Sequence, residues 1–253
     1  MLVDNHVSTL EVCTVASCSV RCKLCPQDVL KAAYPKGTAH RLTIERFATA
    51  IRTVPPDVRI HFSGFVEPWL NPHCTQMLAL ALSGHRVAVY TTCVGMANPP
   101  AVAEMLTDAK ERVDVVCVHL ADGEHMPAQP DADPHTFIDA LRAGGIEPEV
   151  MMMSGPDFAA VDRAGNLIPS LIRRTGPIGC SYSPDYSHNV MLPNGDVHLC
   201  CQDYGLKHKL GNLFTETWTD IMQGEALRML RASNERDDGG TLCRRCHGSE
   251  QLT

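Results

Sequence analysis

Up to about Gly155 the chain alternates short apolar runs with longer stretches in which apolar residues recur every three or four positions. "VSTLEVCTV" opens the series with the β-branched enrichment of a buried strand. In "LTIERFATAIRTV", Ile44, Phe47, Ala48 and Ile51 fall on one helical face, with Thr43 as N-cap and Leu42 and Phe47 placed as a hydrophobic staple. "VRIHF" (58–62) alternates as a strand does, and "NPHCTQMLALALSG" predicts a helix capped by Asn71, carrying Pro72 in its first turn and stopped by Gly84. The rhythm continues through the strand "RVAVYTT", the helix "NPPAVAEMLTDA", the strand "VDVVCVHL", a helix from Asp133-Pro134 to Gly144, and the strand "EPEVMMM". Five strands alternating with four helices predict an α/β fold of repeated βα units with a parallel sheet, either curled or open.

The pattern then changes. Residues 154–177 hold several Gly and Pro without a clear period, as a connection between modules would. "HNVMLPNGDVHLCC" gives two alternating runs about Pro193-Asn194-Gly195-Asp196, a hairpin signal. "TWTDIMQGEALRMLRASN" reads as one amphipathic helix, and "DDGGTLCRRCHG" as a loop carrying two thiols. These features divide the chain into 1–160 and 161–253, with the boundary good to several residues.

Composition narrows the classes. A content of 44% hydrophobic and 20% charged residues suits a soluble globular chain. The net charge of −7 gives no basic footprint for nucleic acid. The sequence has no apolar run of about 18 residues, hence no predicted membrane span, and no signal peptide at its start, so the expected location is cytoplasmic. In a reducing compartment twelve cysteines make a poor disulfide set and a better metal or redox set.

Three of them, Cys18, Cys22 and Cys25, sit in the loop after the first strand, and Cys243 and Cys246 lie near the far end. A structural zinc site wants four ligands, commonly in two CxxC-like pairs. Three grouped thiols without a nearby fourth leave one iron of a cubane open to a substrate or cofactor, and grouped thiolates suit either iron–sulfur or zinc.

The CxxxCxxC spacing in that position resembles the signature of the radical S-adenosylmethionine (radical SAM) enzymes. The resemblance implies a partial (βα) barrel and a [4Fe–4S] cluster on Cys18, Cys22 and Cys25. Its open iron would bind S-adenosylmethionine, whose reductive cleavage yields a 5′-deoxyadenosyl radical. "FSGFVEP" is similar to the family's Gly-Gly-Glu segment: Gly64 and Glu67 match, Val66 replaces the second glycine, and Glu67 would meet the methionyl ammonium. "YTTCVG" is similar to the Thr-Asn-Gly segment, with Thr91 retained and Thr92 and Cys93 in place of Asn and Gly, which puts cofactor contacts at Thr91 and Thr92.

Cys180, the Gly195–Cys200 hairpin, "GNL" (211–213), Trp218 and the Cys243–Cys246 pair resemble the family's shortened SPASM, or twitch, domain. Cys180, Cys200, Cys243 and Cys246 would then hold an auxiliary [4Fe–4S] cluster; on spacing alone a four-cysteine zinc site would serve equally. Within the family the layout is most similar to 2-deoxy-scyllo-inosamine dehydrogenase and aminoglycoside epimerases. That likeness implies a sugar or aminocyclitol substrate, oxidised at a carbinol carbon, and a reducing partner such as flavodoxin or ferredoxin. Arg163, near the junction of the two parts, would hold substrate hydroxyls and assist their deprotonation. In an epimerase, Cys201 or Cys93 would return a hydrogen atom; Cys13, Cys74 and Cys117, on predicted strands and a helix, read as small buried hydrophobes. His119, at a strand end, could bind substrate or be a hydrogen-bonded core residue. The rival class is a peptide-modifying SPASM enzyme; the 17 residues ahead of Cys18 are few for a leader-recognition module.

Overall fold

The structure, a computed structural model, describes residues 8–129, 131–152, 162–236 and 239–252. The five predicted strands and four predicted helices are present, with one further short helix after the thiol loop that the sequence pattern did not predict. The series runs β1 (Thr9–Val12), α1 (Gln27–Ala33), α2 (Ile44–Ile51), β2 (Arg59–Phe62), α3 (Cys74–Leu82), β3 (Val87–Thr91), α4 (Pro99–Asp108), β4 (Val113–Leu120), α5 (Pro134–Ala143) and β5 (Glu149–Met152). The C-terminal part adds β6 (Ile178–Cys180), β7 (His188–Met191), β8 (Asp196–His198), β9 (Lys209–Asn212), α6 (Trp218–Met222), α7 (Glu225–Arg236) and β10 (Ser249–Gln251). The expected boundary at 160/161 and part of the connection before it lie outside the described residues.

Eight strands make one sheet in the order β5-β4-β3-β2-β1-β7-β8-β9, and β6 pairs with β10 in a second, antiparallel sheet. All pairs from β5 to β7 are parallel; β8 and β9 follow antiparallel. The barrel is therefore partial, its edges β5 and β9 remaining apart. The sixth parallel strand is β7, which pairs with β1 in register Thr9↔His188 to Val12↔Met191 and joins the hairpin region to the main sheet.

Alternation along the strands sorts the two faces. Leu10, Val12, Ile60, Phe62, Val87, Val89, Val116 and Val118 enter one core with Phe47, Met77, Leu78, Leu106, Phe137 and Leu141 from the covering helices. The alternate positions carry Glu11, His61, Tyr90, Cys117 and His119, so the inner face is polar. Caps fall where the side chains predict them: Thr43 accepts from the Arg46 N–H, Asn98 from Ala101 and Asp133 from Thr136.

Two expectations change. Asn71 does not cap α3, which starts at Cys74; its buried amide instead donates to the carbonyls of Thr14 and Leu42, tying the loop after β1 to the entry of α2. The single C-terminal helix is two, α6 and α7, broken at Gln223-Gly224, where a Cβ on Gly224 would lie 3.0 Å from the Asp220 carbonyl oxygen.

Candidate active site

The loop carrying Cys18, Cys22 and Cys25 leaves the C-terminal end of β1 and is held from several sides. The Lys23 N–H donates to the His125 carbonyl (2.7 Å), Gln129 Nε2 to the Val20 carbonyl (3.3 Å) and Arg163 Nε to the Leu24 carbonyl (3.2 Å). All three thiols line one cavity of about 130 Å³, together with Gly64, Glu67, Tyr90, Thr91, Thr92, His119, Arg163 and Tyr204. A second cavity of about 200 Å³ adjoins it and shares Val20, Thr92 and His119. Another concavity, about 570 Å³, lies elsewhere, over β6 and α7.

The donor chemistry fits a cationic cluster. Burial pushes Cys18 up to about 11 and Cys22 to about 12, and each sulfur is raised further by its neighbouring thiols. Three thiolates here require positive charge among them. The three thiols line the same cavity, a donor set of the kind that holds an iron–sulfur cluster.

Gly64 passes close under this cavity. Its φ is +90°, and a Cβ there would lie 2.8 Å from Cys13 Sγ, so the turn needs glycine. The turn delivers Glu67, whose buried carboxylate accepts four bonds: Thr91 Oγ1 (2.8 Å) and the Trp69 N–H (3.1 Å) at Oε1, the Thr92 N–H (2.6 Å) and Oγ1 (2.8 Å) at Oε2. Burial nonetheless raises its pKa above the ordinary carboxylate value. Every hydrogen-bond donor facing Glu67 is neutral, and a cation arriving in the cavity would be drawn to it.

Thr91 and Thr92 thus face the cavity but spend their hydroxyls on Glu67. Cys93 is kept off it: the residue is fully buried in the main core and adopts φ +62°, the left-handed conformation a glycine would take at no cost. Arg163 and His119, expected from sequence, do line the cavity. Cys201 does not line the cavity; it packs against the apolar cluster that includes Cys13, Val190 and Tyr204, and burial first, then the Glu11 carboxylate, pushes its thiol up.

The second thiol set comes together from separate elements. Cys180 ends β6, Cys200 follows β8, Cys243 lies within the 3-10 turn Leu242–Arg245 and Cys246 directly after it; all four line one apolar cavity with His188, Leu199 and Leu242. Burial pushes Cys243 up to about 11. The site also holds polar residues that sequence reading passed over. Glu11 accepts from His188 Nε2 at 2.6 Å, while Tyr90 faces the His61 ring, and Gln27 and Tyr204 reach the thiol loop. For Glu11, His61 and Tyr90 the signal was a polar residue at alternate positions of otherwise apolar strands, which in a helix-covered sheet means a polar inner face; Gln27 and Tyr204, off the strands, carried no such signal.

Residues 180–247 match the family model described as SPASM, an iron–sulfur cluster-binding domain. Solved structures share the fold. One is BtrN in complex with AdoMet and 2-DOIA, at 18% identity over 99% of this chain and 95% of that chain (TM-score 0.68). Native anSMEcpe with bound AdoMet is 11% identical over 94% and 86% (TM-score 0.59). Streptococcus suis SuiB bound to precursor peptide SuiA is 12% identical over 90% and 67% (TM-score 0.63). At these identities the likeness is one of fold. No curated protein matches in sequence. The match marks residues 180–247 as an iron–sulfur cluster-binding domain, and the solved structures show that the whole chain shares their fold. No helix among the described residues is long and apolar enough to cross a membrane.

Proposed function

We propose that this chain oxidises a carbinol carbon of a sugar or aminocyclitol to a ketone. Cys18, Cys22 and Cys25 hold the radical-generating cluster, with Gly64, Glu67, Thr91 and Thr92 on the cofactor's side of the cavity. Cys180, Cys200, Cys243 and Cys246 hold the auxiliary cluster. When bound, these groups supply hydrogen-atom abstraction and a one-electron sink. The chain's own residues do the rest: Arg163 orients the substrate hydroxyl and stabilises its alkoxide as the proton passes to solvent, with Tyr204 and His119 on the same cavity wall.

The observation that carries a small substrate is the nearly complete mutual coverage with BtrN in complex with AdoMet and 2-DOIA. About a third of SuiB, bound to its precursor peptide, has no counterpart here.

A second reading is redox-neutral epimerisation of the same substrate class. It is favoured by Cys201, a half-buried free thiol that directly follows the auxiliary-set Cys200 and feels the charges of Glu11 and Arg163. Turnover of the anaerobically reconstituted protein in deuterated water, with a panel of aminocyclitols, separates the two. Ketone and 5′-deoxyadenosine, unchanged by Cys201→Ala, support oxidation. An inverted product carrying one solvent deuterium, replaced by ketone in the variant, selects the epimerase. 5′-Deoxyadenosine formed with peptides and never with cyclitols would overturn both in favour of a peptide-modifying enzyme.

A further inference from the structure

Two side chains converge on one of the three N-terminal thiols. Gln27 Nε2 lies 3.2 Å from Cys25 Sγ, and Tyr204 Oη lies 3.5 Å from the same sulfur. Among the described residues the hydrogen bonds at Cys18 and Cys22 come from the backbone, so the side-chain donors belong to Cys25.

Both donors are aimed by other bonds. Gln27 is buried at the start of α1. Its Oε1 accepts the Cys18 N–H (2.9 Å), and its Nε2 also donates to the Phe65 carbonyl (2.6 Å), which belongs to the Gly64–Glu67 segment. Tyr204 comes from the opposite side, on the turn just after Cys200. That turn is braced by the buried Asp203, which accepts from the N–H groups of Lys207 (3.0 Å) and His208 (2.8 Å) and faces Nδ1 of His198 (3.3 Å) and His208 (3.4 Å). The Gln202 carbonyl is tied down by Asn166 (2.8 Å), and the Tyr204 ring packs on Phe65 at 4.6 Å between centroids. A phenol that needed only to fill space would not require its hydroxyl on a sulfur.

We infer that Gln27 and Tyr204 set the reduction potential of the N-terminal cluster through the Cys25 sulfur. The inference rests on the reading that Cys18, Cys22 and Cys25 hold that cluster. With Cys25 bound as a thiolate, the proton of the hydrogen bond can come only from the phenol or the amide. Reduction adds one electron from an external one-electron reductant, forms and breaks no bond at the sulfur, and increases its negative charge. Donors to that sulfur therefore stabilise the reduced form more than the oxidised one and raise the potential. Both are positioning residues, acting through Cys25 rather than on substrate.

The test is a mediated potentiometric titration of the reconstituted protein with dithionite, followed by electron paramagnetic resonance. The N-terminal signal is the one absent from a Cys18→Ala/Cys22→Ala/Cys25→Ala variant. Tyr204→Phe keeps the ring against Phe65 and loses only the hydroxyl; Gln27→Met removes the other donor. Each is expected to shift the reduction equilibrium about tenfold towards the oxidised form, 59 mV lower for a one-electron couple, at wild-type iron content. An N-terminal signal at the wild-type potential in Tyr204→Phe and Gln27→Met overturns the inference and leaves the cysteine reading standing. A wild-type protein with no signal lost in the triple variant overturns both.

Discussion

At the scale of single residues the site is governed by buried groups whose charge has a cost. Glu67 is 5% exposed, and burial raises its pKa. Its protonated form is favoured in the folded chain, so its contribution to stability is complete below the ordinary carboxyl value and lost as pH rises through the folded one. A cation in the cavity reverses that balance. Glu67→Ala is therefore expected to weaken S-adenosylmethionine binding by one to two decades, roughly 1.5–3 kcal/mol for a charge-assisted contact, while both clusters' iron is retained. Equilibrium dialysis reads it, and unchanged affinity would remove Glu67 from the cofactor site. His61 runs the other way. Burial, then His188, lowers its pKa from 6.5 to about 4, with Arg59 also lowering it and Glu11 and Asp114 opposing. A depressed histidine contributes stability that is present above 6.5 and lost as pH falls towards 4, on the order of 3 kcal/mol in full. Urea midpoints of the cluster-free protein should fall steeply across that window, and His61→Phe should flatten the curve. Equal slopes in both proteins would mean His61 does not titrate there.

At the scale of elements, the thiol-bearing turns depend on helix and strand ends that sequence alone could not join. The Cys243–Cys246 turn carries Arg244 inward. Its guanidinium donates to the carbonyls of Ser233 (2.9 Å) and Asn234 (3.2 Å) in the last turns of α7 and to Gly176 (2.6 Å) before β6. One side chain thus satisfies helix-end carbonyls and fixes the CxxC turn against the strand that presents Cys180. Arg244→Leu should cost about 2–4 kcal/mol, since hydrogen bonds to a charged group are lost and buried acceptors are left unmade. Thermal melts of the cluster-free protein measure the loss, and iron binding at the C-terminal set should weaken in parallel. A variant with wild-type melting and iron content would show the turn to be held by the remaining contacts. In the sequence Arg244 reads as a charged loop residue beside two cysteines, because its partners lie about ten residues upstream in the helix and nearly 70 upstream at Gly176. Helices α2, α4 and α5 were legible because their caps are local: each cap side chain reaches a backbone N–H three residues on. Asn71 looked like such a cap, but its amide bonds run to Thr14 and Leu42, contacts no local rule contains.

At the scale of the whole molecule, β7 joins the hairpin that leads to Cys200 to the main sheet, while β6 presents Cys180 from the second sheet. The first five parallel strands were visible as apolar runs with turn signals between them, whereas β7 was read as half of a hairpin. It is that, paired with β8, but its other edge continues the parallel sheet at β1, some 180 residues earlier in the chain. Only the register Leu10↔Asn189 and Glu11↔Val190 brings Glu11 beside His188 and, through the turn after β8, Tyr204 beside Cys25. Motif spacing could therefore name the cysteines, while the polar residues between the two sets became legible only with the pairing. The arrangement has a consequence for assembly. The N-terminal loop rests on β1, α1 and the 121–129 segment, and the C-terminal set on β6, the turn after β8 and the Leu242–Arg245 turn. The two donor sets share no ligand, so emptying one leaves the other's backbone supports in place. Cys18→Ala/Cys22→Ala/Cys25→Ala is accordingly expected to fold, to keep about half of the wild-type iron as one remaining four-thiol cluster, and to lose all cleavage of S-adenosylmethionine. Iron per chain and the visible absorption of the reconstituted protein measure the first, and 5′-deoxyadenosine release under reducing conditions the second. Iron unchanged by the triple substitution would mean that these thiols hold no cluster. Complete loss of iron would mean that the two sites assemble only together, so that the fold couples them more tightly than their separate donor sets require.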